Sequence, residues 1–131
     1  MEDLTRWIAL ARRAAATLAD VLREPKSALV RDAAIQRFEY TFEATWKATQ
    51  RYLRDVEGLE VASPAGAIRR AHAVGLLDEP SARLALDMVS DRNLTVHTYN
   101  EALAEEIFAR LPLYSRLVDA WIRSLEGKGR A

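Results

Sequence analysis

Between Leu4 and Leu125 apolar residues return at steps of three and four, and no stretch alternates apolar with polar residues for the length of a strand. Such a chain buries stripes on helices rather than faces of sheets, so an all-α fold is predicted. The first stripe, Leu4, Trp7, Ile8, Ala11, Ala15, Leu18 and Leu22, stops short of Pro25, which lacks an amide donor and disfavours helix in the residue before it. Ser27 is placed to cap a second, long helix whose stripe of Ile35, Phe38, Phe42, Trp46, Thr49, Leu53 and Val56 continues to Gly58. Ser63-Pro64 opens a short helix that Gly75 and Leu76 close, and Asp78 with Pro80 opens a fourth that reaches about Asp91 or beyond. Thr98 to Glu101 has the spacing of a capping box for a last helix running to Gly127, which Pro112 should kink or divide. The expected architecture is an antiparallel up-and-down four-helix bundle with an additional short helix, one domain over residues 1–126 and a loose tail at 127–131.

Composition narrows the chemistry. Half of the 131 residues are hydrophobic and 29% are charged, the range of a folded domain. Nineteen basic residues balance nineteen acidic ones, so any contact with nucleic acid has to come from a local arrangement. With no cysteine and only two histidines, thiolate metal sites, disulfides and cysteine nucleophiles are excluded, and a reducing, cytoplasmic setting is expected. No apolar run is long enough to span a membrane, and the start of the chain is unlike a signal peptide. Gly-rich phosphate loops, nucleophile elbows and H-E-x-x-H are missing as well.

The densest polar cluster runs from Asp91 to Glu101, at a helix junction. A helix end suits phosphate, because free amides and the positive dipole end point outward there, and Arg92 adds a planar fork of donors. His97 can take or give a proton near neutral pH. Together they would cleave RNA by activating its own 2′-hydroxyl, a nucleophile that DNA lacks. On spacing alone, the plainer reading stands ahead: R-x4-H occurs often by chance, and both residues would cap a helix end. His72 has no companion at ligand spacing and reads as a packing or surface residue. Glu39 and Glu43, one turn apart, edge the apolar stripe of the second helix and are expected to be solvated or paired with Arg37 or Lys47. Trp7, Trp46 and Trp121 sit on apolar stripes, as core or interface anchors do.

The run from Arg31 to Glu43, then Trp46-Lys47, Ser63-Pro64, Ala67-Ile68-Arg69, Arg92-Asn93 and His97 to Glu101, resembles the HEPN superfamily, and within it the nucleotidyltransferase substrate-binding proteins. The resemblance extends over residues 4–125 in several separated blocks, which is far more specific than R-x4-H alone. It implies a helical bundle forming a homodimer and encoded beside a minimal nucleotidyltransferase. In many such pairs the bundle is a toxin, a metal-independent endoribonuclease acting on RNA without a cofactor. Arg92 and His97 then map onto the catalytic motif, Asn93 onto its supporting polar position, and Tyr99 onto the tyrosine to which the antitoxin transfers AMP. One departure is Arg83-Leu84-Ala85, where relatives often carry a tryptophan. The resemblance also leaves room for a non-catalytic subunit that binds substrate for the nucleotidyltransferase, or for a helical dimerisation module.

Overall fold

The computed structural model describes residues 2–129, and among them five α-helices and one short 3₁₀ turn, with no strand. The helices are α1 (Glu2–Leu22), α2 (Ala28–Asp55), α3 (Pro64–Ala73), α4 (Glu79–Leu94) and α5 (Glu101–Gly129), and the 3₁₀ turn spans Thr95–His97. Their starts are chemically marked. The Ser27 hydroxyl accepts from Val30 N at 3.0 Å, Ser63 from Gly66 N at 3.0 Å, and the Asp78 carboxylate from Ser81 N at 2.9 Å, each satisfying an amide that has no partner inside its helix. Gly58 (φ 69°) and Gly75 (φ 80°) take the left-handed conformation just beyond α2 and α3. After Gly75, Leu76 N bonds back to Ala71 O at 2.8 Å and its side chain enters the core.

At about 1.5 Å per residue, α2 forms a spine about 40 Å long. It packs along α1 and α5, which also meet each other, while α3 lies across α2 and carries the chain to α4, laid against α3 and α5. Side chains from all five helices make one core around Phe38, Phe42, Tyr52, Ile68, Met88, Leu111, Tyr114 and Trp121. The tryptophans serve that core: Trp121 Nε1 donates to the buried Thr49 hydroxyl at 2.9 Å, and Trp7, half-buried, is covered by the Arg51 guanidinium at 5.0 Å. Arg12 ties α1 to α5 through Asp119 and Glu126.

Three expectations need correction. α2 ends at Asp55, short of Gly58, and Val56 is 43% exposed. α5 runs through Pro112 as one helix, with that proline on its exposed face. In place of a tail loose from 127, α5 continues through Gly127 to Gly129, while Arg130 and Ala131 lie outside the described residues.

Candidate functional site: the junction of α4 and α5

Between α4 and α5 the chain tightens into a 3₁₀ turn because two threonines bond backward. The Thr95 hydroxyl donates to Arg92 O at 2.7 Å and the Thr98 hydroxyl to Thr95 O at 2.9 Å, so both carbonyls are satisfied by side chains. Asn100, and not Thr98, caps α5: its side-chain oxygen accepts from Leu103 N at 3.2 Å. Hydrogen bonding at this helix end is therefore done by Thr95, Thr98 and Asn100, and neither Arg92 nor His97 acts as a cap.

Arg92, in the last turn of α4, reaches across to α2. Its Nη2 donates to Glu43 Oε2 at 3.2 Å, and the same oxygen accepts from Trp46 Nε1 at 3.1 Å. The Arg92 side chain keeps 41% of its surface exposed, while its Nε is buried and has no hydrogen-bond partner among the described residues. Glu43 thus pairs with Arg92 rather than with the expected Arg37 or Lys47; Arg37 donates to Thr17 O, and Lys47 lies over the Trp46 ring. Asn93 is exposed beside Arg92. His97 is exposed at the end of the 3₁₀ turn, and its ring meets Tyr99 edge to face with centroids 6.1 Å apart. Tyr99 is 83% exposed. The structure brings His97 to Tyr99 and Arg92 to Glu43, and among the described residues no hydrogen bond joins Arg92 to His97.

The surroundings are acidic on the α2 side. A groove of about 280 Å³ beside Tyr99 is lined by Asp32, Ile35, Gln36, Glu39 and Thr98. Arg31, buried at the start of α2, is held by Asp32 at 3.0 Å and by Glu105 at 3.2 Å, and Lys26 also pairs with Glu105. Lys26 and then Arg31 hold the Glu105 carboxyl below the usual range for glutamate. The cations Lys26, Arg31 and Arg92 around this end are thus each matched by a carboxylate.

A second polar network braces the junction from inside. Asp91, only 5% exposed, accepts two hydrogen bonds from Arg110, at 2.7 and 2.8 Å, and one from the Tyr114 hydroxyl at 2.6 Å. Burial, then the bond to Asp91, pushes the Tyr114 hydroxyl well above the ordinary tyrosine range. The sequence reading did not single out this triad. Its signal was present: Ala85, Met88 and Asp91 share one face of α4, so a carboxylate falls on the buried stripe and calls for a partner.

His72 is exposed on α3, and no three Asp, Glu or His side chains converge as a metal site among the described residues. Among the described residues no helix is long and apolar enough to cross a membrane. A family model described as nucleotidyltransferase substrate binding protein like matches residues 3–127. In fold and sequence the chain is similar to the crystal structure of ttk003001694 from Thermus thermophilus, at 61% identity over 88% of this chain and 98% of that one, with a TM-score of 0.85. No curated protein matches it.

Proposed function

The chain belongs to the nucleotidyltransferase substrate binding protein-like family, and from that premise we propose that the α4–α5 junction is an RNA-cleaving site kept in check by a minimal nucleotidyltransferase. The observation that carries this reading is the division of labour at the junction. Thr95, Thr98 and Asn100 meet its structural needs, which leaves the exposed edge of Arg92 and the His97 imidazole facing solvent five residues apart along the chain. In the proposed step Arg92 holds a phosphodiester, with Asn93 beside it, and His97 takes the proton from the 2′-hydroxyl. That oxygen bonds to phosphorus, the bond from phosphorus to the 5′-oxygen breaks, and the leaving oxygen takes a proton back. The products are a 2′,3′-cyclic phosphate and a 5′-hydroxyl, and the step needs neither metal nor cofactor.

Two copies acting together would strengthen the site. Lys26, Arg31 and Arg92 each face a carboxylate within one protomer, so a second Arg92 fork across a two-fold axis would add donors for phosphate that a single junction lacks. Exposed Leu94 and Val96 at the same junction suit such a contact. Regulation follows from Tyr99. Its hydroxyl attacks the α-phosphorus of ATP on the nucleotidyltransferase, pyrophosphate leaves, and the tyrosine carries a phosphodiester and an adenosine at the mouth of the site.

One observation favours a second reading, a non-catalytic subunit that binds substrate for its partner: Arg92 is engaged by Glu43, and among the described residues no hydrogen bond links it to His97. Expression in cells separates the two. Growth arrest that disappears when the neighbouring nucleotidyltransferase is co-expressed supports the nuclease. A stable complex with that enzyme, with no toxicity from the intact Arg92 and His97 protein alone, supports the subunit.

A further inference from the structure

The link from Trp46 through Glu43 to Arg92 has no part in the proton transfer just described, yet it joins the core to the site. Trp46 is 7% exposed, and its indole N–H is aimed at a single carboxylate oxygen of Glu43. That oxygen also accepts from Arg92 Nη2. Glu43 is thus held from below by a donor that cannot move without disturbing the core, and it holds the guanidinium by one edge. Since the buried Arg92 Nε finds no partner among the described residues, Glu43 is the side chain there that sets the orientation of the fork.

We infer that Glu43 is the positioning residue for Arg92: it turns the free edge of the guanidinium outward to a phosphodiester, and it does so at the cost of placing a negative charge beside that phosphate. Orientation raises the rate of a step whose groups must be aligned, whereas the carboxylate weakens affinity. The two effects separate by substitution. Glu43→Ala releases the arginine, while Glu43→Gln keeps an oxygen able to accept from both Trp46 and Arg92 but removes the charge.

The inference rests on the reading of Arg92 as the phosphate-holding group, so Arg92→Ala belongs in the same experiment. Wild-type protein and the three variants are compared by kcat and KM on RNA, by affinity for a 2′-deoxy oligonucleotide of the same sequence, which binds without being cut, and by thermal unfolding. Glu43→Ala is expected to lower kcat by about ten- to a hundredfold while the protein stays folded at the assay temperature, its melting midpoint falling modestly because the half-exposed ion pair adds little to stability but the Trp46 indole N–H loses its acceptor. Glu43→Gln is expected to restore most of kcat and to bind the oligonucleotide more tightly than wild type. If Glu43→Ala cuts normally while Arg92→Ala is dead, the inference fails and the nuclease reading stands. If Arg92→Ala cuts and binds as wild type does, both fail. A Glu43→Gln protein as slow as Glu43→Ala, or a Glu43→Ala protein that is unfolded at the assay temperature and regains full activity where it is folded, also overturns the positioning role.

Discussion

Tyr99 is 83% exposed with its ring edge to face against His97, so a group added to its oxygen would lie at the same surface as the imidazole and leave the core undisturbed. An added phosphodiester would compete with RNA for Arg92, and the adenosine would fill the approach. Mass spectrometry after co-expression with the nucleotidyltransferase should find AMP on Tyr99, and Tyr99→Phe should stay toxic in the presence of the partner. An adduct confined to another residue would leave steric masking as the means of control. At this scale the candidates could be picked out of the sequence because they are local: Arg92, Asn93, His97 and Tyr99 fall within eight residues. The Glu43 pair was not, because its partner lies 49 residues away and helical periodicity places a residue only on a face, never against a particular side chain on another helix.

The helix ends show the same division between local and distant information. Ser27, Ser63 and Asp78 cap as their spacing predicts, since a cap needs only its own turn. Thr98 and Asn100 both had the right chemistry for α5, and Asn100 caps because the 3₁₀ turn offers the Thr98 hydroxyl the carbonyl of Thr95 instead. The brace between α4 and α5 depends on a buried carboxylate that Tyr114 and Arg110 satisfy. Tyr114→Phe removes one of its three hydrogen bonds while keeping the ring stacked on Phe38 at 5.5 Å. Chemical denaturation should therefore show a loss of about 1 to 2 kcal/mol, with an unchanged slope. A neutral result would mean that Arg110 alone satisfies Asp91.

The molecule as a whole was readable as a helical bundle because its apolar residues keep a helical period within each segment, and the centre of the stripes, Phe38, Phe42, Met88, Leu111 and Trp121 among them, forms the core, while Val56 falls outside it. Phe42, fully buried on the spine, tests that core: Phe42→Ala should cost about 3 to 5 kcal/mol and loosen the whole fold, measured by denaturation. How copies assemble is a property of surfaces, on which periodicity is silent. The exposed Leu94 and Val96 at the junction predict a two-fold dimer, and sedimentation at micromolar concentration should give twice the monomer mass. A monomer that still cuts RNA would remove the composite site.

The central claim is that Arg92 and His97 cleave RNA by proton transfer, and it meets its most direct test in one gel. Purified wild-type protein and His97→Ala are incubated with RNA in excess chelator, with circular dichroism confirming that both are folded. The account predicts that the wild type leaves fragments ending in a 2′,3′-cyclic phosphate and that His97→Ala leaves the RNA intact. Cleavage that appears only on adding a divalent metal, or fragments of the same yield from His97→Ala, would contradict it.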